Sequence, residues 1–239
     1  MENNKPAVLI SIKPKWCELI ANGAKTVEVR KTRPKLEAPF KCYIYCTKPD
    51  KSYQTKCGSM VLNNDELYRH PAEGIKHGNS IELMCQHDLT EDNFLNGKVI
   101  GEFVCDSIEE FQVLTHGIIQ KWNTSVLEKS RLSYDEIAEY IGVGGEGYAW
   151  HISDLVIYDE PKELSEFAVV DNEAVKRCEY RTRVCSNPDY TNGAFLPGGY
   201  LCSKNSDWCT KCKTKPLTRA PQSWFYVEKN NISFRQSNV

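Results

Sequence analysis

Lys13 to Arg30 reads KPKWCELIANGAKTVEVR, and the fold turns on how this stretch divides. Pro14 fits the first position of a helix, where its missing N–H costs nothing. Trp16, Leu19 and Ile20 follow at i, i+3 and i+4 and give that helix one apolar face. Gly23 stands where a left-handed cap ends it. Thr26 to Arg30 is β-branched and alternating, which predicts a strand. On a regular strand Thr26, Glu28 and Arg30 share one face and Val27 and Val29 the other. Glu28 and Arg30 are therefore expected to pair on one wall, with Lys25 at the turn beside them. Taken alone, such a pair on an edge strand is a surface contact of small energetic weight, so the flanking sequence decides its meaning.

Upstream, Ala7–Ile12 is a mainly apolar run with almost no alternation, the mark of a strand buried on both faces. Downstream, Arg33-Pro34 and Ala38-Pro39 break regular structure and leave Lys31–Pro39 as a loop. The loop is basic, with Lys31, Arg33 and Lys35 against Glu37. Phe40–Thr47 (FKCYIYCT) is the third strand. Lys48–Asn96 reads as an irregular insertion with one short helical stretch at Asn64–Tyr68. It carries His70, His77, His87, Cys57 and Cys85, but no two of them have the tight spacing of a metal site. Gly97–Phe111 is a strand ending in a bulge or turn. Ser133-x-x-Glu136 is a capping box ahead of Ile137, Tyr140 and Ile141, and Gly142 closes that helix. The following GVGGEG is no phosphate loop, because no Lys-Ser/Thr follows and a strand comes next. That strand, Tyr148–Tyr158, places Tyr148, Trp150 and Ile152 on one face and stops at Asp159-Glu160-Pro161. Lys162–Phe167 is a helical turn, and Ser223–Glu228 returns as an apolar strand.

The order of these segments resembles one family. Gly23, Lys25, Glu28 and Arg30 stand as G-x-K-x-x-E-x-R, which is similar to the signature of the ASCH domains (activating signal cointegrator homology) of the PUA-like superfamily. The strands on either side fit the pattern, and the resemblance extends to Val99–Asp106 (VIGEFVCD), Tyr148–Tyr158 (YAWHISDLVIY) and Pro221–Glu228 (PQSWFYVE). It implies an α+β fold, a PUA-like mixed β-barrel with a few short helices, spanning residues 1–228. Two insertions interrupt it, 48–96 and a cysteine-rich 174–215, and a polar tail 229–239 follows. The resemblance also implies a cleft beside the signature helix, with Lys13, Trp16, Lys25, Glu28, Arg30, Trp150 and Ser223 as ligand-facing candidates. Aromatic rings stack a splayed base, a carboxylate accepts from an exocyclic amine, and Lys or Arg holds phosphate. The expected partner is RNA or a nucleoside-like small molecule. Some small ASCH proteins resemble amidohydrolases of N4-acetylcytidine, with a lysine, a threonine and a later glutamate as catalytic set. Lys25 matches that lysine, but Glu28 occupies the threonine's place, Thr26 lies two positions early, and the later glutamate falls within Glu102–Glu110. Lys25 and Glu28 are the catalytic candidates if there is turnover. Binding is the leading reading, and a scaffold or coactivator-type interaction protein is the third.

The chain has 239 residues with Lys+Arg 30, Asp+Glu 32 and a formal charge of −2, so any charged site must be local. No apolar run is long enough to span a membrane, and Met1–Pro6 lacks a hydrophobic signal core, which predicts a cytoplasmic protein. There are 11 cysteines. In that compartment disulfides are disfavoured, and Cys17, Cys42, Cys46 and Cys105, set in apolar patterns, read as small core residues. The other cluster is Cys178-x6-Cys185-x16-Cys202-x6-Cys209-x2-Cys212. Cys209-Thr-Lys-Cys212 presents two sulfurs from one turn, which suits a tetrahedral ion. Cys178, Cys202, Cys209 and Cys212 are the expected ligands of a structural Zn²⁺, with Cys185 as the alternative to Cys178. Ala174–Arg219 holds 9 Lys/Arg against 3 Asp/Glu and too little apolar residue to build a core of its own.

Overall fold

The structure is a computed structural model that describes residues 7–48, 65–78, 91–115, 119–120, 124–170 and 214–229. The chain divides into two compact units, one of residues 1–164 and 219–226, the other of residues 165–218 and 227–239.

In the first unit the apolar run forms β1 (Ala7–Ile12), buried at every position. β1 runs parallel to β3 (Phe40–Cys46), with Val8 opposite Cys42 and Ile12 opposite Cys46. β3 pairs antiparallel with β6 (Val99–Val113), β6 with β8 (Glu146–Lys162), and β8 with β2 (Val27–Arg30). A two-residue strand, β7 (Ile119–Gln120), adds to β6. β6 and β8 approach closely at Gly101, where a Cβ would meet the Val156 carbonyl oxygen at 2.4 Å. β8 is longer than the sequence suggests and continues through Pro161. Proline is tolerated there because the pairing with β6 shifts register between Ile157 and Lys162, leaving Pro161 in a bulge with no ladder bond to donate.

The sheet is mixed, as expected, but it is an open path ending at β2, not a closed barrel. A local cause is visible. The Ser11 N–H of β1 donates to the Ser223 carbonyl at 2.9 Å, and its Oγ donates to the Pro221 carbonyl at 2.7 Å. β1 therefore offers no free ladder to the four-residue β2.

Among the described residues three helices cover the sheet. α1 (Pro14–Ala21) starts at Pro14 as expected, and buries Pro14, Cys17 and Ile20. The buried face is thus rotated from the predicted one, leaving Trp16 half-buried. Gly23, at φ +72°, turns the chain into β2. α2 (Thr124–Ser130) packs on β2. α3 (Tyr134–Ile141) carries the predicted capping box: Ser133 Oγ accepts from the Glu136 N–H, and Glu136 accepts from the Ser133 N–H.

Asn64–Tyr68 is not helical where described. β4 (Glu66–His70) and β5 (Gly74–Gly78) form an antiparallel hairpin. Burial of Leu67 and Ile75 in the main core selects the strand pairing over local helix propensity. His70 serves the turn, its Nδ1 accepting from the Ala72 and Glu73 N–H groups at 3.2 Å each. His77 pairs with Asp65. Cys57, Cys85 and His87 lie outside the described residues.

Cys17, Cys42, Cys46 and Cys105 are free and buried, as read from their apolar patterns. The main core unites β1, β3, β6 and α1, and a second core joins Val27 and Val29 to Phe111, Val113 and Ile137. In the second unit β9 (Phe167–Val170) lies between β10 (Thr214–Pro216) and the end of β11 (Trp224–Lys229), both antiparallel to it. A single 3-10 turn, Leu164–Glu166, stands where the helical turn was expected.

Candidate functional site

β2 has a burial pattern that simple alternation does not allow, since all four residues are buried. Val27 and Val29 face the second core. Glu28 and Arg30 face the other way and are covered because they form the floor of a cleft of about 970 Å³. Lys25 completes the floor. Its backbone N–H closes the turn after α1 by donating to the Leu19 carbonyl at 2.9 Å, and this sends its side chain inward.

Three charges are buried together. Lys25, Glu28 and Arg30 are 1%, 6% and 6% exposed, far below the ordinary surface pair. Glu28 bridges two cations: Oε2 lies 3.3 Å from Lys25 Nζ and Oε1 3.0 Å from Arg30 Nη2. Lys25 Nζ also donates to the Ser130 carbonyl at 2.7 Å, and Arg30 Nη2 to the Ser11 carbonyl at 2.6 Å. Arg30 Nε–H is buried without an acceptor among the described residues. Two cations against one carboxylate leave the floor with one positive charge in excess. Burial pushes Lys25 below the ordinary lysine range, and the neighbouring Glu28 partly restores it. Removing ions from water costs several kcal/mol each unless geometry and hydrogen bonds offset it. The floor is thus an expensive arrangement placed at an opening.

The walls come from α1 and α3. Trp16 lines the cleft from α1, with Lys15 Nζ 4.3 Å and Lys25 Nζ 5.3 Å from its ring centroid. Glu136, Glu139 and Tyr140 line it from α3. Lys15 links the two helices through a 3.3 Å contact with Glu136. Lys13, Lys31 and Lys48 stand exposed on the rim.

Five of the seven residues expected to face a ligand, Lys13, Trp16, Lys25, Glu28 and Arg30, come together here. Two do not line the cleft. Trp150 is fully buried in the main core, with ring centroids 5.8 Å from Phe40 and 5.9 Å from Trp224. Its place on the Tyr148–Ile152 face points it into the sheet's packed side. Ser223 uses its carbonyl to hold β1. Thr26 is exposed and offers the cleft no hydroxyl. The later glutamates also have other roles. Glu102 binds Lys41 Nζ at 2.7 Å and the Tyr158 hydroxyl at 2.6 Å, Glu109 contacts His151 at 3.1 Å, and Glu110 contacts Arg33 at 3.7 Å. The basic loop divides likewise: only Lys31 reaches the cleft. Trp224 Nε1–H donates to Thr32 Oγ1 at 3.1 Å, and the Lys35 N–H to the Tyr226 hydroxyl at 2.7 Å, pinning the rest.

The α3 wall was not foreseen as part of the site. Its signal was the capped helix itself, whose Tyr140 the apolar pattern counts as core. No group of three or more His, Cys, Asp or Glu suited to a metal occurs among the described residues. Cys178, Cys185, Cys202, Cys209 and Cys212 lie outside them. Among the described residues no helix is long and apolar enough to cross a membrane.

No protein-family model and no curated protein matches the chain. Among solved structures it is similar to a serine-to-alanine variant of an ASCH protein from Zymomonas mobilis. Identity there is 15% over 95% of this chain and 92% of that one, with a TM-score of 0.42. It is also similar to an ASCH structure from Zymomonas mobilis at 14% identity, over 88% of this chain and 96% of that one, with a TM-score of 0.35. The likeness to ASCH structures thus runs over most of the chain.

Proposed function

We propose that this chain is an ASCH-type, PUA-like protein that binds an RNA base or a modified nucleoside in the cleft above Lys25, Glu28 and Arg30. The observation that carries this reading is the buried triad at the floor of an open cleft. A fold needing only stability is better served by apolar residues at such positions. Here the charges are retained where a ligand has access. Trp16 supplies a ring for stacking, and Lys13, Lys31 and Lys48 supply mobile cations for phosphate.

Turnover is not favoured. The cleft receives no hydroxyl from Thr26, and both oxygens of Glu28 are engaged by cations. The zinc remains part of the proposal, held by Cys178 or Cys185 with Cys202, Cys209 and Cys212. So does a cytoplasmic location, which the four free buried thiols suit.

Calorimetric titration with nucleosides and with a short single-stranded RNA tests the reading. Binding is expected, and Trp16→Ala should weaken it by a stacking contribution of roughly 1–3 kcal/mol. For RNA, three rim lysines on phosphates give a log–log salt slope of about −2. A wild-type protein that binds neither probe refutes the proposal.

A further inference from the structure

We infer that Tyr140 is a second stacking platform, so that the cleft takes a run of at least two bases and not a lone nucleoside. This rests on the base-binding reading of the cleft and specifies its ligand.

α3 spends its apolar surface on the second core: Ile137 is fully buried, and Ala138, Ile141 and Tyr134 pack around it. Tyr134 also anchors its hydroxyl on the Leu114 carbonyl. Tyr140 does none of this. It belongs to neither core, is 38% exposed, and its hydroxyl has no hydrogen bond among the described residues. Single exposed aromatics are common on protein surfaces. Tyr140 differs in that it lines the same cleft as Trp16, from a different helix, the regular α3.

The two rings share one further feature. Lys31 Nζ sits 5.2 Å from the Tyr140 centroid, as Lys15 Nζ sits 4.3 Å from that of Trp16. A cation over a ring face is held by the ring's quadrupole. A base that takes the face displaces the ammonium, which is then free to contact the phosphodiester joining two bases. Glu136 and Glu139 on the same helix repel phosphate from the α3 side, so the backbone is steered toward the lysine rim. The volume of about 970 Å³ lies at the upper end of what one small ligand fills, which leaves room for a second base.

The test compares adenosine monophosphate with the dinucleotide ApA by isothermal titration. The wild-type protein should bind ApA roughly 5- to 150-fold more tightly, the ratio that one added stacked base supplies. Tyr140→Leu should bring that ratio to within about twofold, and Tyr140→Phe should retain it, because the ring and not the hydroxyl acts. Should Tyr140→Leu fail to fold, Tyr140→Trp decides: with its larger face the ratio must hold or rise. Equal wild-type affinity for the two probes overturns the second platform while leaving the base-binding reading intact. A ratio that survives in Tyr140→Leu, or falls in Tyr140→Trp, overturns it too. Binding of neither probe removes both readings together.

Discussion

Replacing Glu28 by glutamine tests the floor of the cleft most directly. The change keeps shape but turns one of the two acceptor oxygens into an NH2 donor facing a cation, and raises the buried excess from one positive charge to two. Lys25 keeps the Ser130 carbonyl at 2.7 Å and Arg30 keeps the Ser11 carbonyl at 2.6 Å, so the loss is confined to the two contacts with Glu28. Removing one member of a buried ion pair costs about 3–5 kcal/mol. An independent ceiling comes from Lys25, which can escape by releasing its proton. Neutralising a lysine of ordinary pKa about 10.4 at pH 7 costs about 4.6 kcal/mol, at 1.36 kcal/mol per pH unit. The two figures agree, and at about 2–4 °C per kcal/mol for a unit of this size the midpoint of thermal unfolding falls by about 6–20 °C. Calorimetry and urea unfolding at pH 7 check this. The pH dependence supplies a second signature. Burial places Lys25 in the folded state below its unfolded value. Between the two values the unfolded chain binds more protons, so stability rises with pH. That effect is larger once Glu28 no longer supports the charge, and the gap between Glu28→Gln and wild type should narrow from pH 7 to pH 10. A loss under about 1 kcal/mol, or a gap that widens with pH, refutes the buried triad as a coupled unit.

Burial holds the Cys17 and Cys42 thiols protonated well above their ordinary range and pushes Cys105 up to about 12. Their stabilisation is complete below about pH 8.5 and is lost as pH rises, by about 1.4 kcal/mol per pH unit for each thiol. Cys105→Ala should flatten the alkaline slope by that amount, and parallel curves would show that Cys105 titrates alike in both states. Gly101→Ala forces a Cβ against the Val156 carbonyl and should cost about 1–3 kcal/mol in urea unfolding, with a neutral result locating the β6–β8 approach elsewhere. Metal analysis should find about one zinc per chain, lost on Cys209→Ser, and chelation should open 174–219 to protease while the Val8–Tyr158 region survives. Metal-free protein with disulfides among these cysteines rejects the ion.

The sequence made the local elements legible where chemistry was local. Pro14 and Gly23 bounded α1, the Ser133 box started α3, and the near-absence of alternation marked β1. It placed Lys25, Glu28 and Arg30 on one wall, since period two and a turn suffice for that. Their depth was not legible. It depends on α1, the Ser130 carbonyl and the Ser11 carbonyl converging from residues far apart in the chain. Trp150 and Tyr140 exchanged places for the same reason: an aromatic at strand spacing and one at helix spacing look alike until the neighbouring layers are known. The β4–β5 hairpin was hidden because Leu67 and Ile75 acquire their meaning only from the core that receives them.

Arg30 spans a gap that backbone does not. Between β2 and β1 no ladder forms, and the 2.6 Å bond from Arg30 Nη2 to the Ser11 carbonyl bridges these strands. Paired strands are locked about 4.8 Å apart whatever their side chains, so a ladder at this seam would fix one aperture for every sequence. A seam closed by a guanidinium takes its spacing from side-chain length. Arg30→Lys would shorten that bridge while keeping the cation that Glu28 requires, and so reset the opening without rebuilding the sheet. The same Nη2 meets Glu28 Oε1 at 3.0 Å, so one nitrogen sets both the spacing of this seam and the charge balance of the floor.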